Sequence, residues 1–234
     1  MIKKCFCLLI VVLFVNCGSQ GQSLADDPRV ASAIKIVEVW IDSQLDYKEI
    51  PGMSAGIVHD QELIWKCGFG YADMENEVPA APDTIYSICS ISKLFTSIGI
   101  MQLRDEGKLR LDDPIQKHLS WFNIKDKYPD APEKTIQGVL THSSGLPREA
   151  DYPYWTGPEH DFPTREQIIE ALAGQEELYP AYTYFQYSNL GMALLGEVIA
   201  EVSGRPYAEY VRKNILEPLG LENTSPEIPE EQKG

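Results

Sequence analysis

Basic residues are scarce in this chain: 20 lysines and arginines stand against 35 aspartates and glutamates, for a formal net charge of -15. Such a surface repels phosphate backbones and anionic lipid headgroups, which excludes nucleic-acid binding as a function class. The acidity itself reads as solubility. Cysteine is scarcer still. Of five cysteines, Cys5, Cys7 and Cys17 belong to the extreme N-terminus, and Cys67 and Cys89 alone make no disulfide framework. Both read as small buried apolar residues, with a single bridge between them as the alternative in an oxidising compartment. The four histidines (His59, His118, His142 and His160) show neither H-E-x-x-H nor Cys/His ligand spacing, so no metal site is expected. Internal repeats and low-complexity tracts are also lacking.

What is present is an ordinary globular composition, 44% hydrophobic and 24% charged over 234 residues. That length suffices for one large domain or two small ones with an apolar core. Lys3 and Lys4 precede an apolar run from Cys5 to Val15, a charged n-region and an h-region too short for a membrane span. Export is expected, to the periplasm or to a membrane-anchored state. Phe14-Val15-Asn16-Cys17-Gly18 is a loose lipobox that would lipidate Cys17 and tether the chain, although Asn16 departs from the usual small residue. The alternative is cleavage between Cys17 and about Asp26, where Ser23-Leu24-Ala25 has small-x-small form. Residues 1–25 are thus leader and tether, 26–225 the folded domain and 226–234 a polar tail. Within the domain, 26–86 and 87–216 differ in kind, the second part being mainly helical.

Apolar spacing across 28–46 predicts an amphipathic helix. Two apolar runs flanking the turn-like His59–Glu62 predict a β-hairpin, and a proline-rich connection follows from Val78 to Asp83. Ile91, Leu94, Phe95, Ile98, Met101 and Leu103 build one apolar helical face from near Ser90, with Gly107 as a stop. Asp113-Pro114 reads as an N-cap with proline at the first helical position. Thr164-x-x-Gln167 is a capping box for a helix closed by Gly174. Another helix spans about Asn189 to Ser203, stopped by Gly204, and Pro206 opens one more to about Leu216. Nothing after Leu216 reads as a strand. A lone hairpin is not a stable sheet, so either the fold is nearly all helical or the chain stops before its sheet is complete.

Three segments carry chemistry. Ser90-Ile91-Ser92-Lys93 is an S-x-x-K opening a helix, and i, i+3 spacing places both side chains on one face. The helix N-terminus favours a developing anion. A serine hydroxyl needs a base within reach, and a lysine desolvated among Ile88, Cys89, Ile91 and Leu94 loses its proton more easily than in water. By itself this pattern equally describes a cap and a surface lysine. Tyr187-Ser188-Asn189 follows an aromatic run (Tyr182, Tyr184, Phe185). Tyr187 could relay protons from the serine, and Asn189 offers a donor and an acceptor to a lysine and a substrate carbonyl. The plain alternative is a buried aromatic beside an N-cap asparagine. In Leu140-Thr141-His142-Ser143-Ser144-Gly145-Leu146-Pro147 a Ser–His pair competes with a helix-to-loop turn held by His142 and the serines, and the turn is the preferred reading.

In this order, S-x-x-K, LTHSSGLP, YSN, Gly204-Arg205-Pro206-Tyr207 and Leu216-Glu217-Pro218-Leu219-Gly220-Leu221 resemble the serine β-lactamase-related family, over roughly residues 28 to 225. That family includes class C β-lactamases, D-alanyl-D-alanine carboxypeptidases and β-lactamase-like esterases. The resemblance implies an α/β (α+β) fold, a mainly antiparallel sheet flanked by helices plus a helical subdomain, with the site between them and no cofactor. It implies Ser90 as the acylated serine, Lys93 as its partner, Tyr187 as base or proton relay and Asn189 as the residue that orients a small-molecule or peptide substrate. Which group takes the serine proton is disputed among S-x-x-K enzymes.

The family's third motif, Lys/His/Trp-x-Gly on a late strand, does not follow Asn189. Lys66-Cys67-Gly68 and Trp155-Thr156-Gly157 match in letters but precede Tyr187. That strand normally supplies the second oxyanion N–H, and losing one such donor costs about 10²–10³ in rate. The expectation is therefore a C-terminally truncated serine hydrolase, feeble by itself and active in full-length form. It acts through an acyl-enzyme on an amide, β-lactam or ester. The competing expectation is a non-catalytic module binding peptidoglycan peptide or protein through a relic site.

Overall fold

The computed structural model describes residues 24–152 and 163–227. The leader through residue 23 with Cys17, the Trp155-Thr156-Gly157 triplet, His160 and the tail from residue 228 lie outside the described residues. The chain divides into two compact units, one ending at Thr84 and the other starting at Ile85.

The first unit is a helix on a small antiparallel sheet. After a short 3-10 turn at Leu24–Asp26, helix α1 spans Pro28–Lys48. Asp27 caps it by accepting the Arg29 N–H, and Pro28 occupies the first helical position, where its missing N–H costs nothing. Strands β1 (Gly52–His59) and β2 (Glu62–Asp73) pair antiparallel with Gly52 opposite Gly70 and His59 opposite Glu62. Asp60 and Gln61 both have positive φ, the two-residue turn whose twist matches the flanking strands. The connection expected over 78–83 contains a two-residue strand, β3 (Val78–Pro79), on the outer side of β2, giving the order β1-β2-β3. An edge position tolerates Pro79, which lacks a ladder N–H. Ile41 and Leu45 of α1 pack on Phe69 of β2, with Met53, Ala55, Trp65 and Cys67 around them.

The second unit is helical. A 3-10 turn at Cys89–Ile91 leads into α2 (Ser92–Asp105), followed by α3 (Ile115–His118), α4 (Ile136–Leu140), α5 (Arg165–Leu172), α6 (Asn189–Ser203) and α7 (Tyr207–Val211), which runs on as a π-helical turn to Leu216. The capping box is present, with Thr164 and Gln167 exchanging side-chain and backbone bonds at the start of α5. Gly204 closes α6 at φ 67. Two caps differ from expectation. Pro114 is the cap of α3 and Asp113 stays outside it, because the Asp113 carboxylate is engaged by the Arg110 N–H, Lys117 and His118. At α6 the cap is Ser188, whose hydroxyl accepts the Gly191 N–H, and Asn189 is already helical.

Helix α6 runs through the core, with Leu190, Leu194, Leu195, Val198 and Ile199 at most 2% exposed. Each such side chain contributes roughly 1.5–3 kcal/mol by burial. Ile100 and Leu103 of α2 and Ile136 and Val139 of α4 complete the same cluster. Gly99 lets α2 and α6 approach closely, since a Cβ there would lie 2.8 Å from Ile199 Cδ1. This packing fixes the start of α2 relative to the start of α6, the two places where the candidate residues sit.

Candidate active site

Ser90 lies in the 3-10 turn that feeds α2, and Lys93 in the first turn of the helix. The lysine Nζ donates to Ser90 Oγ at 3.1 Å. Tyr187 stands at the entrance to α6, 97 residues later in the chain, and its hydroxyl is 2.7 Å from the same oxygen. One hydroxyl is therefore held between an ammonium and a phenol. Cys89, just before it, has φ 46, a backbone state uncommon for a non-glycine residue and concentrated at functional sites.

Tyr187 is hemmed in by charge and rings. Lys93 Nζ lies 4.9 Å and the Arg148 guanidinium 5.1 Å from its ring centroid, and the His142 ring is 4.6 Å away at 35°. Hydrogen bonding from Lys93 and then from Ser90 draws the phenol below its ordinary range, against a smaller opposing effect of burial, with the charges of Lys93 and Arg148 adding to the shift.

Asn189 does not turn to the lysine as the sequence suggested. Its Nδ2 donates to Glu149 Oε1 at 2.5 Å, and Arg148 Nε is 3.3 Å from that same oxygen. Ser90, Lys93, Asn189, Arg148 and Glu149 share a cavity of about 770 Å³ with Ser87, Cys89 and an apolar wall of Ala150, Pro163, Ile168, Leu190 and Ala193. That combination, a few convergent polar groups against an apolar wall, is what small-molecule sites present. Arg148 and Glu149 were not singled out from sequence. Their signal was an oppositely charged pair directly after the turn proline Pro147.

The apolar shell expected around Lys93 is not there. Cys89 is exposed, and Ile88, Ile91 and Leu94 are 37%, 61% and 57% exposed. The lysine is half-buried beside the Tyr187 ring instead. Nor are the two body cysteines buried apolar residues: Cys67 is half-buried, Cys89 is exposed, and both are free thiols. Among the described residues His142 makes no pair with a serine hydroxyl; its Nδ1 accepts the Ser188 N–H at 3.2 Å. Among the described residues no group of three or more His, Cys, Asp or Glu could hold a metal ion.

The family model for beta-lactamase matches residues 37–233. The chain belongs to the beta-lactamase family. Among relatives of this beta-lactamase-family chain, beta-lactamase-like protein 2 of Dictyostelium discoideum is 33% identical over 224 residues, covering 94% of this chain and 41% of that protein. The octameric penicillin-binding protein homologue from Pyrococcus abyssi superposes with a TM-score of 0.72 at 37% identity, over 81% of this chain and 43% of that one. The beta-lactamase/D-alanine carboxypeptidase from Yersinia pestis, complexed with citrate, superposes with a TM-score of 0.68 at 27% identity, over 83% and 57%. The chain thus spans about two fifths of the length of the curated relative it matches. The beta-lactamase/penicillin-binding-protein fold, with its antiparallel sheet and helices, is the architecture of the chain.

Proposed function

We propose that this protein is a serine hydrolase that forms an acyl-enzyme on Ser90. The observation that carries the proposal is the single hydroxyl of Ser90 contacted at once by Lys93 at 3.1 Å and Tyr187 at 2.7 Å. Lys93, charged, donates to the serine oxygen and to the phenolate form of Tyr187; the phenolate accepts the serine proton. Ser90 Oγ then bonds to the carbonyl carbon of an amide, β-lactam or ester while the bond from that carbon to nitrogen or oxygen breaks, and the proton held by Tyr187 passes to the departing atom. Water attacks the acyl-enzyme in the reverse sense, releasing the acid and restoring the Ser90 hydroxyl. Asn189, held by Glu149, faces the cavity where the acyl group would lie. The names of the relatives favour small-molecule or peptide substrates. The lysines and apolar run of the leader support export, with a membrane tether through Cys17 as the form the lipobox would give.

The test is covalent labelling of the full-length protein by a fluorescent penicillin or a fluorophosphonate. Label on wild type that disappears in Ser90→Ala is expected. Folded wild type that takes up neither probe would instead favour a module that binds peptide through an inert site.

A further inference from the structure

We propose that His142 is a positioning residue that holds Tyr187 in register against Ser90 and, by taking up a proton itself, adds a second loss of reactivity in acid to the one that Tyr187 sets. The proposal rests on the reading of Tyr187 as the group that accepts the serine proton.

The residues on both sides of Tyr187 hang from His142. Its backbone carbonyl accepts the Gln186 N–H at 2.7 Å, and its Nδ1 accepts the Ser188 N–H at 3.2 Å. Between these two bonds the imidazole lies along the Tyr187 ring, with Phe185 edge-on to it at 5.7 Å and 80°. His142 is itself anchored behind α4, its N–H donating to the Val139 carbonyl at 3.0 Å, in a left-handed conformation of φ 55. A phenol whose hydroxyl must stay 2.7 Å from Ser90 is therefore gripped through the peptide groups flanking it and through its ring.

That grip depends on charge. A nitrogen that accepts an N–H must carry a lone pair, so the ring is neutral with its proton on Nε2. An imidazolium has two donors and no acceptor, and protonation at Nδ1 would set N–H against N–H at the Ser188 contact. The charge acting on it is that of Lys93 from α2; Arg148, paired with Glu149, lies against the same tyrosine ring, and Tyr187 itself, beside the imidazole, is negative when it is the phenolate. Burial and then the Lys93 charge hold the imidazole below the usual histidine range. The neutral form consequently survives to lower pH than for a histidine in water, and the grip is lost as pH falls through that lowered value, below about 6.5.

The experiment is the rate of fluorophosphonate labelling of the full-length protein between pH 4.5 and 8.5, for wild type, His142→Asn, His142→Ala and Ser90→Ala. Asparagine places Oδ1 where Nδ1 stands and accepts the Ser188 N–H without titrating. His142→Asn should label within about threefold of wild type at pH 8 and decline in acid only as Tyr187 takes up its proton, without the further loss that wild type shows below about 6.5. His142→Ala should be slower at every pH by about tenfold or more, as small misplacements of a reacting group are. A histidine that merely held the turn would shift the melting temperature of these variants and leave the acid limb where it is. An acid limb unchanged in His142→Asn, or an asparagine variant no faster than the alanine one, overturns the proposal alone. Absence of Ser90-dependent label in wild type overturns the hydrolase reading, and this one with it.

Discussion

Replacing Tyr187 by phenylalanine tests the proton route directly. The substitution removes one oxygen, the one 2.7 Å from Ser90 Oγ, and leaves the ring between His142, Lys93 and Arg148. The other side chain hydrogen-bonded to the serine oxygen among the described residues is Lys93, whose Nζ donates to it. General base assistance of this kind is worth about 10²–10⁴ in rate, or roughly 2.7–5.5 kcal/mol of activation free energy. With no second acceptor hydrogen-bonded to the hydroxyl, Tyr187→Phe should slow labelling of Ser90 by about 10³. Stability should barely change, because one partly exposed hydrogen bond contributes only about 0.5–1.5 kcal/mol. The assay is the pseudo-first-order rate of fluorophosphonate labelling at pH 7.5, run beside a thermal melt of each protein. The pH profile adds a second reading. A lowered phenol pKa means the reactive phenolate persists to lower pH than for a free tyrosine. Wild-type rates should therefore level off below the usual tyrosine range, and Lys93→Met, which removes the main cause of the lowering, should push that limb upward. A phenylalanine variant labelling within about threefold of wild type, with an unchanged melt, would refute the assignment of Tyr187 as proton acceptor.

Burial opposes ionisation of Asp113, but hydrogen bonds from Lys117, the Arg110 N–H and His118 outweigh it and hold its carboxyl at about 2. Its contribution is then complete above pH 4 and lost as pH falls towards 2, so Asp113→Asn should flatten the acid side of the stability curve by on the order of 1–2 kcal/mol, read by urea melts from pH 2 to 6. Glu177 is 1% exposed, accepts the Lys127 and Tyr128 N–H groups, and pairs with Lys134. Glu177→Ala strands that lysine and both amides, and should cost about 3–5 kcal/mol in the same melts, a loss under 1 kcal/mol being the contrary result. Gly145 has φ +76 and a Cβ there would meet the Tyr179 carbonyl oxygen at 2.0 Å, so Gly145→Ala should lower stability by at least about 2 kcal/mol; an unaltered melting temperature would show that the turn before Pro147 relaxes freely.

Sequence periodicity was informative wherever a helix had both a cap and an apolar face. Helix α6 ends at Gly204 and α5 starts with its capping box, as their residues dictate. It failed where side-chain bonding competes with local propensity. Asp113 looks like a cap until Lys117 and His118 claim its carboxylate, and Ser188 is the cap at α6, its hydroxyl accepting the Gly191 N–H while the Asn189 amide bonds Glu149. The edge strand at Val78–Pro79 is invisible in a proline-rich stretch, since its pairing is supplied by β2. At the site, Ser90, Lys93 and Tyr187 were legible as types and the structure brings them together, but their neighbourhood was not. Apolar letters beside Lys93 suggested burial, yet adjacency along a helix start says nothing about which way each side chain leans. Arg148 and Glu149 enter the site through a turn, and no period in the sequence announces a turn's direction.

The distance from Ser90 to Tyr187 is a property of helix packing rather than of either motif. Ser90 and Lys93 keep a fixed relation because they share one helical start, and Tyr187 and Asn189 share another. What joins the two pairs is the crossing of α2 and α6, set by the close approach at Gly99 and Ile199, with α2 tied also to α7 by the bond between the Thr96 and Tyr207 hydroxyls at 2.8 Å. A phenol and a serine 97 residues apart in the chain can be held at 2.7 Å only if that crossing is nearly rigid, and a core with Ile100, Leu103, Leu195, Val198 and Ile199 all at 0% exposure has the density to make it so. The two bonds to His142 then remove the last freedom, that of the loop leading into α6. The closeness of the Ser90 and Tyr187 hydroxyls thus follows from ordinary helix packing plus one residue that grips the loop, and under the proposed function that packing is what would keep a weak nucleophile beside its base.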